Sequence, residues 1–160
     1  MKIFRRVSSF LVAELRRGLT ARELALTLAV GLCLSVPPVL GSTTALCALA
    51  ALLLRLNQPL IQAINYLAYP LQLILLIPFL KAGEWVFGAS HTPLSPGKML
   101  SMAKADLLGT ISALWTVTWH GVVVWAVASV PIGLLVFWLA KPFLERLAAR
   151  LPKQEPSRVA

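Results

Sequence analysis

Residues 19–59 read LTARELALTLAVGLCLSVPPVLGSTTALCALAALLLRLNQP, two apolar runs joined by a proline-rich break and closed by a polar one. The first run has a marked start. Thr20-Ala21-Arg22-Glu23 is a capping box, in which the Thr20 hydroxyl accepts from the Glu23 amide and the Glu23 carboxylate reaches back to the Thr20 amide. Leu19 and Leu24 fall at the positions of a hydrophobic staple. Ser35-Val36-Pro37-Pro38 stops the helix, because successive prolines remove two amide donors and restrict the residue before each. Gly41 supplies a turn, and Ser42, Thr43 or Thr44 can cap a second helix ending near Arg55. Each arm holds about 13 residues, roughly 20 Å at ~1.5 Å per residue. A bilayer's hydrocarbon core is ~30 Å thick. Residues 19–56 therefore read as a re-entrant or short helical hairpin broken at Pro37–Gly41, two short tilted spans being the alternative.

Downstream, Asn57 can cap a helix with Pro59 in its first turn, and residues 58–82 are long enough to cross a membrane. Gln58, Gln62, Asn65, Tyr69 and Gln72 recur at spacings of four, three, four and three, which places them on one face. Amides turned toward lipid are costly, so this stripe is expected to pack on the hairpin or to line a cavity. Pro70 and Pro78 are expected to kink the helix. Residues 83–110 read as a loop and short helix, with Trp85 and Phe87 suited to an interface and Ser95-Pro96 starting the helical part. Residues 111–139 form a second apolar span with Trp115, Trp119 and Trp138 toward its ends. Ser35-Val36-Pro37 recurs as Ser129-Val130-Pro131, but one tripeptide is too little to establish a repeat.

Both ends are basic. In residues 1–18, Phe4, Val7, Leu11 and Leu15 share one face of an amphipathic surface helix, a disordered basic tail being the alternative. Residues 140–160 repeat the pattern with Phe143, Leu144, Leu147 and Leu151, closed by Pro152. Of the lysines and arginines, six lie in residues 1–22, five from Lys141 onward and three between Lys81 and Ala113. That distribution is the positive-inside pattern and puts both termini on the cytoplasmic side, against anionic headgroups.

The whole composition agrees. The chain has 160 residues, of which 58% are hydrophobic and 13% charged, about half the charged fraction of a soluble domain. A single compact core of this size cannot hide so much apolar surface. The class is an all-α integral membrane protein: a hairpin, two transmembrane helices, and amphipathic surface helices at both ends. A net charge of +9 concentrated at the ends, without a basic groove interleaved with aromatics, argues against nucleic acid. Cys33 and Cys47 lie in apolar runs without metal or redox spacing. Phe10-Leu11-Val12-Ala13 is too short for the apolar region of a signal peptide, and Glu14, Arg16 and Arg17 place charges directly after it.

Residues from about Leu19 to Phe87 resemble the domain-of-unknown-function 2062 family of bacterial membrane proteins. The resemblance is carried by Gly31, Pro37-Pro38 and Gly41 with Thr43 or Thr44, then by Leu54-Arg55-Leu56-Asn57-Gln58-Pro59 and a helix with an aromatic and a proline. Much of the family has an Asn-Pro pair where this chain has Tyr69-Pro70; Asn65 lies one turn earlier. The resemblance implies the bacterial cytoplasmic membrane. Relatives fused to glycosyltransferase-like domains imply a setting in lipid-linked sugar or envelope metabolism.

No catalytic constellation is legible. His91 sits in a Pro/Gly loop, His120 lies beside Trp119, and beyond the capping Glu23 only Glu84 and Asp106 separate the terminal carboxylates. There is no HExxH, GxSxG, phosphate loop or paired acids, so neither an enzyme, a cofactor nor a metal is expected. Two readings stand. In one, Ser42, Thr43 and Thr44 open a half-helix that meets an anionic or lipid-linked envelope precursor, and Arg55, Gln62, Asn65, Tyr69 and Gln72 line the route of a carrier or flippase-like protein. In the other, the same residues stitch helices together in a membrane scaffold or accessory subunit that serves a membrane protein partner.

Overall fold

The computed structural model describes residues 12–15, 18–88, 101–102 and 104–150. Four principal helices occur in the order α1 Ala21–Leu34, α2 Thr43–Leu54, α3 Gln58–Phe87 and α4 Leu107–Ala149. The described residues contain no strand. α3 and α4 are each long and apolar enough to cross a membrane. The amphipathic pattern of residues 1–18, the loop containing His91 and Ser95-Pro96, and the tail beyond Arg150 fall largely or wholly outside the described residues.

The local signals before α1 act as their chemistry dictates. The Thr20 amide donates to Glu23 Oε2 at 2.8 Å, and the Glu23 amide donates to Thr20 Oγ1 at 3.2 Å. At the start of α3, Asn57 Oδ1 accepts from the Leu60 amide at 2.9 Å, with Pro59 in the first turn. Between α1 and α2, Gly41 takes φ +86°, and α2 ends on Arg55 in the left-handed region at φ 53°. Ser42 behaves otherwise: it occupies the N-cap position of α2, but its hydroxyl donates back to the Val39 carbonyl at 2.9 Å and caps no amide.

Three boundaries differ from the sequence reading. α3 continues past residue 82 to Phe87 and ends on Gly88 at φ 60°. Gly83 does not break it, because a glycine inside a long apolar helix costs only about 1 kcal/mol and here sits at a helix crossing. α4 begins at Leu107, where Asp106 Oδ1 accepts from the Gly109 amide at 2.9 Å. It then runs unbroken to Ala149, so residues 140–149 extend the helix and do not form a separate surface element. Pro131 and Pro142 lie inside it. The two Ser-Val-Pro triplets thus have opposite outcomes. A lone proline removes one ladder bond, whereas Pro37-Pro38 removes two in succession.

α1 packs on α3 and α4, and α2 packs on α1 and α3. At the base of the hairpin, Leu24, Ala25, Leu60 and Leu144 form one buried cluster; Cys47, Ala51 and Ile61 form a second between α2 and α3. Gly31 admits Ile61 and Ile64 of α3 against the α1 backbone, its absent Cβ position lying 3.1 Å from Ile61 Cγ1. Farther along, α3 and α4 cross at two glycines. A Cβ on Gly83 would sit 2.6 Å from the His120 carbonyl carbon, and one on Gly121 would sit 2.9 Å from Leu80 Cδ2. Phe87 stacks on His120 at 4.3 Å between ring centroids.

Candidate functional site

Within the hairpin's break Ser35, Val36, Pro37 and Pro38 are all buried, while Leu40 and Gly41 at its tip are exposed. A turn so placed must have its carbonyls satisfied by protein. In a regular helix the Cys33 carbonyl would accept from the amide of residue 37, but that residue is proline. The indole Nε1–H of Trp125, from α4, donates to it at 3.0 Å. The Gln72 amide nitrogen donates to the Pro37 carbonyl at 3.0 Å and approaches the Val39 carbonyl at 3.5 Å. Ser35 Oγ donates to the Gly31 carbonyl. The site is therefore a bent backbone whose unpaired acceptors are met by one side chain from each long helix.

The polar stripe of α3 is engaged almost throughout. Gln58 Nε2 donates to the Ala48 carbonyl at 3.2 Å and Gln62 Nε2 to the Thr44 carbonyl at 3.1 Å. Asn65 Nδ2 donates to Thr44 Oγ1 at 3.3 Å. The stripe faces the hairpin, with Asn65 and Gln72 buried. Among these residues, Tyr69 departs: it is half exposed. Gln62 Oε1 is buried without a partner among the described residues.

The remaining sequence candidates divide. Thr43 is buried, Thr44 bonds to the stripe through both its oxygens, and Ser42 is bound to Val39. Arg55 lies apart at the opposite end of α2, exposed, with its backbone N–H donating to the Ala51 carbonyl. The geometry joins Gln62, Asn65 and Gln72 to the hairpin but does not bring Arg55 or Tyr69 to the turn. Trp125 carries no signal in the sequence that marks it for this site. The orphaned Cys33 carbonyl was legible from Pro37 four residues on, but which side chain would meet it was not.

A different feature lies beside the hairpin. α2 packs on α1 and α3, and among the described residues it makes no packing contact with α4. The gap is an open groove of about 590 Å³, floored by α1 and walled by α2 and α4. Leu26, Cys33, Leu54, Gly133 and Phe137 line it, and Ser129 is its single hydroxyl. That hydroxyl is turned to its own helix, donating to the Trp125 carbonyl at 2.7 Å. The groove can take an apolar chain; beside the Ser129 hydroxyl it holds the Cys33 thiol, which donates to the Ser129 carbonyl at 3.4 Å.

A family model described as an uncharacterized protein conserved in bacteria (DUF2062) matches residues 4–151. The chain belongs to this family. The match extends the likeness carried by residues 19–87 through α4, the helix that supplies Trp125 and Gly121. No curated protein and no solved structure matches the chain.

Proposed function

We propose that this DUF2062 protein is a non-catalytic integral protein of the bacterial cytoplasmic membrane that acts as a scaffold or accessory subunit, with both termini cytoplasmic and α1–α2 as a re-entrant hairpin. The observation that carries the reading is the Gln72 amide on the Pro37 carbonyl. Gln72 is the middle of the 30-residue α3, a helix about 45 Å long. The 14-residue α1 is about 21 Å long and ends beside that midpoint. If α3 spans a bilayer ~40–45 Å thick with its headgroups, the turn sits near mid-depth. Irregular backbone is tolerated there only under protein cover or against a wet cavity. Gln72, Trp125 and the α3–α4 crossing cover residues 35–38, while Leu40 and Gly41 at the tip are exposed.

The same bonds favour a scaffold over a carrier. A stripe lining a substrate route needs free amides, and the donors of Gln58, Gln62, Asn65 and Gln72 go to the hairpin. The excess of basic residues at the two ends supports the cytoplasmic orientation.

Reporter fusions after Arg158 and near Thr92 are expected to lie on opposite sides, with the tail cytoplasmic. For the hairpin, Leu40→Cys in a chain lacking Cys33 and Cys47 is expected to resist an impermeant thiol reagent added from outside. Leu40 is 53% exposed from the protein, so lipid and not packing would shield it. Rapid labelling at that position would replace the re-entrant hairpin by two ordinary spans, and a periplasmic tail would overturn the topology.

A further inference from the structure

The groove between α1, α2 and α4 has one end unlike the rest. Leu26, Leu54 and Phe137 mark the end nearest the base of the hairpin. Arg22 lies one turn before Leu26 on the same face of α1, Arg55 directly follows Leu54, and Lys141 lies one turn beyond Phe137 on the same face of α4. Three separate elements thus bring a cation to the same end of an apolar groove. Among the described residues three acidic groups lie toward this end, and the buried Glu14 is already engaged. Glu23 is committed to the Thr20 cap, and Glu145 meets Lys141 at 3.8 Å with both side chains about half exposed. Arg146, one position on, adds a further positive charge to that end of α4.

An apolar channel with a cationic mouth is complementary to an anionic amphiphile. We infer that the groove holds an acyl chain of an anionic glycerophospholipid, whose phosphate lies at the Arg22, Arg55 and Lys141 end, in the leaflet on the side of the termini. This rests on the membrane reading above. The span from Leu26 to Leu34 along α1 is about 12 Å, so the floor of the groove follows the upper part of one chain. Ala29, Ala50 and Gly133, being small residues, leave the groove open, and the lipid completes the contact that α2 does not make with α4.

The test uses the full chain reconstituted in vesicles of equal parts phosphatidylglycerol and phosphatidylethanolamine, extracted in mild detergent and weighed by native mass spectrometry. The wild-type protein is expected to retain one lipid, with phosphatidylglycerol about tenfold enriched, because three nearby cations attract its net negative charge and disfavour the ammonium that phosphatidylethanolamine carries beside the same phosphate. Ala50→Phe, which fills the groove from α2, is expected to cut retention of either lipid about tenfold. The exposed-side pair Arg55→Gln and Lys141→Gln is expected to keep a lipid but lose the enrichment. Leu134→Trp fills the groove from the opposite wall, so a folding defect in one filling variant leaves the result decided by the other. Retention by the wild type at the bulk ratio, or unchanged retention in both filling variants, overturns the lipid site. With a cytoplasmic tail reporter, that outcome leaves the membrane topology standing. A periplasmic tail instead removes the topology on which the site depends.

Discussion

Replacing Gln72 by leucine takes away the amide that meets the hairpin turn and little else. The side chain is 1% exposed, and leucine fills a similar volume, so no large cavity is left. Two acceptors are affected unequally. The Val39 carbonyl retains the Ser42 hydroxyl at 2.9 Å, whereas the Pro37 carbonyl loses its Gln72 donor at 3.0 Å. A buried acceptor left unpaired costs about 1–3 kcal/mol in water-soluble proteins, and interhelical bonds in membranes average ~0.6 with a maximum near ~1.7 kcal/mol. A loss of about 1–2 kcal/mol is expected for Gln72→Leu, or roughly 2–8 °C in melting temperature for a chain of this size. Gln62→Leu supplies the control. Its amide bonds to the Thr44 carbonyl, which lies within the α2 ladder, and its own Oε1 is buried without a partner among the described residues. That substitution is expected to stay within about 0.5 kcal/mol. Equilibrium unfolding in mixed micelles reads both. Equal losses for the two variants, or no loss for Gln72→Leu, would refute the assignment of the turn carbonyls to Gln72.

Trp125→Phe keeps the ring packing but removes the donor to the Cys33 carbonyl, and a loss of about 1–2 kcal/mol is expected in the same unfolding assay. Gly83→Ala places a methyl 2.6 Å from the His120 backbone, so about 1–3 kcal/mol should be lost. Gly121→Ala meets the movable end of Leu80 first and should cost less; a reversed order would count against the crossing geometry. At the start of α1, the Thr20 amide, and then its hydroxyl, hold the Glu23 carboxyl below its usual range. A lowered carboxyl pKa stabilises the fold above the unfolded value near 4.5 and loses that contribution as pH falls through the folded value. Thr20→Ala removes the hydroxyl alone, so the Glu23 carboxyl resonance is expected to titrate at higher pH than in the wild type, though still below the ordinary value. An unchanged titration would mean that the hydroxyl contributes nothing.

Elements governed by neighbours in the chain were readable directly. Thr20 with Glu23, Asn57 with Leu60, and Pro37-Pro38 each act within four residues, so the chain carries the donor, the acceptor and the spacing together. The spacing of Gln58, Gln62, Asn65 and Gln72 likewise placed them on one face, because helical geometry is local. The breaks expected at Gly83 and ahead of Lys141 were not realised. Whether a long helix continues through a glycine, a proline or a first charge depends on what packs there. At Gly83 it is the His120 backbone, and near Lys141 it is Leu144 buried against Leu24 and Leu60. Ser42, suited by type to cap α2, bonds instead to Val39 because the turn holds that carbonyl within reach.

What the sequence determined, then, was helical class, the hairpin's break, and the existence of a polar face in search of a partner. The tertiary structure decided who that partner is. Gln72 and Trp125 lie 35 and 92 residues from the carbonyls they meet, and pairings at such separations are set by how whole helices cross. The groove has the same origin, since it exists only because α2 packs on α1 and α3 without reaching α4. A gap between helices leaves no pattern in either one, and the cations at its end look, along the chain, like three unrelated residues.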